Sequence, residues 1–117
     1  MSYDLKIVPS GNTMFSVGSE EVSTFLLQMP NIVMNGPNHF LFQDEANTQY
    51  FELDLELVAA NGDSIAVGEQ QDINCIRIHI PYAYLERTLE ATVETCKQIA
   101  AHLRWTAFDE QTEEVLV

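Results

Sequence analysis

Cationic side chains are scarce in this chain: five Lys and Arg face eighteen Asp and Glu, a formal charge of −13 at pH 7. Nucleic acid and anionic membranes are bound through basic patches, so neither is an expected partner. Cysteine is limited to Cys75 and Cys96, too few for a disulfide framework and consistent with a reducing compartment. No apolar run approaches a membrane span, and the opening MSYDLKIVPSGN lacks the apolar core of a signal peptide. The expected location is therefore the cytoplasm. The five glycines are scattered among turns, which excludes a phosphate-cradling loop. His39, His79 and His102 fall on separate elements without HxH or HExxH spacing, so no metal and no cofactor is expected. What the charge favours is a cationic partner, with faster encounter and a penalty on acidic competitors.

The apolar pattern that remains is clear enough to place elements. At 117 residues the chain has the length of one domain, residues 1–117. Tyr3 to Val8 alternates and predicts a strand, stopped by Pro9-Ser10-Gly11-Asn12. Thr13 to Val17 reads as a minor strand or extended chain. Ser19 supplies an N-cap, Glu20 and Glu21 occupy the first turn, and Val22, Phe25, Leu26 and Met29 form a helical stripe up to Pro30. Asn31 to Asn38 reads as a loop, and His39 to Gln43 as a short strand. Gln49 to Val58 sets Phe51, Leu53, Leu55 and Leu57 against Glu52, Asp54 and Glu56, the signature of a strand with one buried face. A short strand is expected at Ile65 to Val67. Ile73 to Ile80 repeats the alternation, with Ile76, Ile78 and Ile80 inward and Cys75, Arg77 and His79 outward.

Pro81 then opens a helix over Tyr82 to Leu103, with the stripe Leu85, Leu89, Val93, Cys96, Ile99, Ala100 and Leu103. Trp105 to Phe108 returns as a strand, Asp109 to Thr112 turns, and Val115 to Val117 adds a last short strand. The fold class that follows is α+β: a two-layer sandwich, an antiparallel sheet with two helices on one face. Its order, β-α-β-β-β-α-β, is ferredoxin-like.

Two acidic rows stand out as partner-binding candidates. Glu52, Asp54 and Glu56 share one face of a strand, and Glu86, Glu90 and Glu94 share one face of the long helix. Tyr82 and Tyr84 flank that helix as interface anchors or edge packers, and Trp105 is expected to be buried. Arg77 and His79 would pair across strands with the strand carboxylates. Nothing converges on those carboxylates as a catalytic or metal site, and neither cysteine is placed as a nucleophile.

Two segments resemble small bacterial immunity proteins of polymorphic-toxin and contact-dependent inhibition systems. They are the opening SYDLKIV and the run IAAHLRWTAFDEQTEEVL, in which a helix ends in a Trp-containing strand and an Asp-x-Gln turn, Asp109-Glu110-Gln111. Together they span about a quarter of the chain. The resemblance implies a non-enzymatic inhibitor without shared catalytic residues, which blocks a cognate and often cationic toxin domain. Two other expectations stand beside it. One is a ligand-binding or enzymatic domain with a pocket between sheet and helices; the other is a structural homodimer built on a sheet edge.

Overall fold

A computed structural model describes residues 2–10, 17–46, 48–58, 64–65 and 72–116. Nine strands appear among them: β1 Ser2–Pro9, β2 Val17–Gly18, β3 Ile32–Met34, β4 His39–Gln43, β5 Tyr50–Val58, β6 Ser64–Ile65, β7 Asp72–Ile73, β8 Cys75–Pro81 and β9 Trp105–Asp109. The helices are α1 Ser19–Leu27 and α2 Leu85–Leu103, the latter preceded by one turn of 3₁₀ helix at Tyr82–Tyr84. The architecture is α+β, an antiparallel sheet with a helical layer against one face.

The sheet runs β3-β4-β5-β8-β1-β9, with β6 added to the end of β5 and a separate β2-β7 ribbon. All of its pairings are antiparallel. The ferredoxin-like likeness therefore rests on layering and chain order, because split βαβ units pair their strands in parallel.

Alternation decides which face is buried. Leu5 and Ile7 of β1, Phe40 of β4, Phe51, Leu53 and Leu55 of β5, Ile76, Ile78 and Ile80 of β8, and Ala107 of β9 form one apolar layer. Val22 and Leu26 of α1 and Cys96, Ile99 and Ala100 of α2 complete the same core. Leu57 is only half-buried, at the end of β5 where Leu57 pairs with Ile65. Phe25 of α1 stacks on His102 of α2 with ring centroids 3.9 Å apart, which joins the helices at their edges. Among the described residues no helix is long and apolar enough to cross a membrane.

Several expectations change. Ile32–Met34 is a strand rather than loop: Ile and Val favour extended backbone, and Asn31 and Asn38 take the positive φ that the flanking turns need. Ser19 is the first helical residue and Gly18 holds the cap position. Only Val17 of the expected minor strand lies within the described residues, where it joins β2; of Ile65 to Val67, only Ile65 does. Val115 makes a single bridge to Phe108, while Val117 lies outside the described residues. Asn74 splits the expected strand at Ile73 because its side chain brackets the Val58 backbone. It accepts from Val58 N–H at 2.7 Å and donates to Val58 O at 2.9 Å. Pro81 ends β8 instead of opening the helix.

The buried stripe of α2 is also rotated from the expected one. Thr88, Thr92 and Thr95 are buried, while Leu89 is 38% exposed. Burying a hydroxyl is tolerated only when it is bonded. Thr92 and Thr95 donate to the carbonyls of Thr88 and Ala91, both at 2.9 Å. Thr88 Oγ1 accepts the Tyr50 N–H at 3.2 Å, linking α2 to the start of β5. Thr88→Val keeps the shape but removes that acceptor. It is expected to cost about 1 kcal/mol, read as a lower urea midpoint with an unchanged slope.

Candidate functional site

The face of the sheet opposite the helices carries polar side chains in register. Glu52 lies opposite His79, Asp54 opposite Arg77, and Glu56 opposite Cys75. On the flanking strands His39 lies opposite Asp54, and Asp4 opposite His79. The expected pairing of strand carboxylates with Arg77 and His79 is therefore present, and it extends over four strands.

Contacts run on the diagonal as well as straight across. His39 bonds Glu52 through Nε2 at 3.1 Å and Asp54 through Nδ1 at 2.5 Å. His79 bonds Asp54 through Nε2 at 3.3 Å and Asp4 through Nδ1 at 2.7 Å. The result is one relay, Glu52–His39–Asp54–His79–Asp4, closed by the Ser2 hydroxyl donating to Asp4 at 2.6 Å. Beside it Arg77 joins Glu56 at 2.7 Å and Glu110 at 3.1 Å.

A carboxylate only accepts, so an imidazole held between two of them donates from both nitrogens and carries a positive charge. The same contacts set the proton affinities. The bond from Asp54, aided by Asp4, outweighs burial and lifts His79 to about 9. Burial acts to lower His39, but its bonds to Asp54 and Glu52 prevail and raise it. The His79 bond holds Asp54 below the usual carboxylate value of 3.8. Asp4 also lies below it, because its bonds from Ser2 and His79 outweigh burial.

This arrangement limits the chemistry available. With both nitrogens of each ring engaged, neither His39 nor His79 keeps a lone pair for a metal or for proton abstraction. Among the described residues no three His, Cys, Asp or Glu side chains are grouped to hold a metal ion. Cys75 faces outward as expected yet is buried, and burial pushes its thiol up to about 11. Cys96, inside the core, is pushed up to about 12 by the same cause. Thiols that stay protonated at neutral pH are poor nucleophiles.

The expected partner-binding residues separate into two groups. Glu52, Asp54 and Glu56 are half-buried and bonded to His39, His79 and Arg77. Glu86, Glu90 and Glu94 are exposed along α2. Of the three, Glu94 has Lys97 at 3.6 Å, and no ion pair of Glu86 or Glu90 is found among the described residues. Tyr82 is 51% exposed at the start of this face. Tyr84 is half-buried, tilted against Tyr50 at 5.5 Å with the Arg87 guanidinium 5.7 Å from its ring. Trp105 is buried. Sequence weighed His39 only as a metal ligand and did not join it or Asp4 to the strand carboxylates; the one signal for Asp4 was polarity at an alternating position.

The turn after β9 is a second constellation. Asp109 is buried and accepts from the Tyr3 hydroxyl, the Gln111 N–H at 2.9 Å, the Gln111 side-chain amide at 2.8 Å and the Thr112 N–H at 3.2 Å. Gln111 grips the β1 backbone, accepting from Asp4 N–H and donating to Asp4 O, both at 2.8 Å. The Asp-x-Gln turn thus clasps the end of the chain to its first strand. Comparison with family models, with curated proteins and with solved structures finds no match.

Proposed function

We propose that the protein is a non-enzymatic, cytoplasmic binding protein whose acidic α2 face docks on a cationic protein surface. Its most concrete form is an immunity protein that occludes a basic toxin domain. The observation that carries this reading is the contrast between the two acidic rows. The sheet row is satisfied by the chain's own cations, whereas Glu86 and Glu90 stand exposed at a four-residue spacing. They lie down one side of the helix with Glu94, with Tyr82 and Leu89 as adjoining apolar area. Unpaired surface carboxylates in an acidic field steer cationic partners and lose little on desolvation compared with buried charge.

The test is capture of partners from lysate of the source organism at low and high salt, followed by association kinetics with the purified partner. A stoichiometric basic protein is expected. Its association with the Glu86→Lys, Glu90→Lys, Glu94→Lys triple variant should be about tenfold slower at low salt, with a flatter salt dependence. A triple variant that associates as fast as the parent would overturn the assignment of this face.

A further inference from the structure

One place on the molecule runs against its overall charge. Lys6 of β1 lies directly opposite Arg77 on one side and Phe108 on the other. Like charges facing each other across strands repel. Arg77 is compensated by Glu56 and Glu110, but no ion pair of Lys6 is found among the described residues. Lys6 itself is half-buried, with Arg77 as its cross-strand neighbour.

Beside Lys6 is a depression of about 380 Å³ lined by Lys6, Val8, Phe108 and Glu113, within the size range of small-ligand sites. Val8 shares the outward face of β1 with Lys6 at the two-residue strand period. Phe108 stands across from them on β9. Glu113 is carried by the C-terminal turn, fixed with φ 61° and with its N–H on the Asp109 carbonyl at 2.7 Å. The four residues therefore offer an apolar floor, one ammonium and one carboxylate, on elements held by the clasp.

We infer that this depression binds a small organic monocarboxylate with an aromatic or branched apolar body. The carboxylate meets Lys6, while the body covers Val8 and Phe108. Glu113 turns away a second negative charge, which disfavours dicarboxylates and phosphate. The site lies on the outward face of the sheet, away from the acidic face of α2, and does not depend on the binding role proposed there.

Phenylacetate is the probe, titrated into the isotopically labelled full chain and followed by two-dimensional NMR, with inorganic phosphate and phenethylamine as controls. The expected result is saturable shifts centred on Lys6, Val8, Phe108 and Glu113 in the millimolar range or tighter. Lys6→Gln should weaken binding about tenfold, the loss of one charge-assisted bond. Glu113→Gln, at an exposed position, should bind phenylacetate at least as well and admit benzene-1,2-dicarboxylate, which the parent rejects. Absence of saturation, equal binding by Lys6→Gln, or equal shifts with phosphate or phenethylamine would each overturn the inference.

Discussion

Replacing Asp109 with alanine is expected to lower the unfolding free energy by about 3 kcal/mol, a loss on the order of 10 °C in Tm for a chain of this size. The estimate follows from what the carboxylate holds. Its two oxygens accept from Tyr3, from the Gln111 backbone and side chain, and from Thr112. Removing one buried acceptor leaves several donors without partners, and each such donor costs about 1–3 kcal/mol before solvent rescues the exposed ones. The Gln111 grip on Asp4 would loosen with it, since Asp109 orients that amide. Gln111→Ala, by contrast, leaves the Asp109 carboxylate in place and removes only the side-chain bonds to the β1 backbone and to Asp109 itself; it is expected to cost about 1 kcal/mol. Thermal and urea unfolding of the two variants separate these cases. Near-parental melting of Asp109→Ala would mean that the clasp contributes nothing to stability.

The second large effect is a dependence on pH. His79 titrates near 9 in the folded chain against an ordinary value of 6.5. Its contribution is thus complete below pH 6.5 and is lost as pH rises through 9. His39 is raised as well and adds to the loss in the same direction. Asp4 and Asp54 are lowered, so their contribution holds above the ordinary 3.8 and disappears as pH falls below it. Maximum stability is therefore expected between about pH 4 and 6.5. A decline of about 2 kcal/mol should follow between pH 6.5 and 9.5, a figure already reduced for side chains about a third exposed to solvent. Asp54→Asn removes the carboxylate shared by both imidazoles. It should be destabilised by about 1–2 kcal/mol at pH 6 and show a much shallower alkaline decline. A parental alkaline decline in Asp54→Asn would show that the relay is not its source.

Much of this was legible along the sequence. The alternation of β5 and β8 placed carboxylates and basic residues on one face, and β8 does lie beside β5. What could not be read was the neighbour on the other side. Strand order depends on the closing of distant segments, and nothing local announces that β1 lies between β8 and β9. Asp4 was accordingly not joined to His79, nor Lys6 to Phe108. The rotation of α2 was hidden for a different reason: hydropathy counts threonine as neutral, whereas Thr88, Thr92 and Thr95 satisfy their hydroxyls locally and can be buried. The Asp109-Glu110-Gln111 turn was visible as a motif, but its grip on β1 needed three-dimensional adjacency.

The position of β1 also bears on how the chain reaches this arrangement. Ser2 pairs with Pro81 and Leu5 with Asp109, so β1 finds its mates only in segments far along the sequence. The β3-β4-β5 meander closes over short loops and is available early, whereas the β8-β1-β9 side of the sheet requires loop closures spanning most of the chain. During synthesis β1 is an unpaired apolar strand awaiting its partners. Assembly should therefore be slow relative to helical domains of equal length, with the insertion of β1 as its late step.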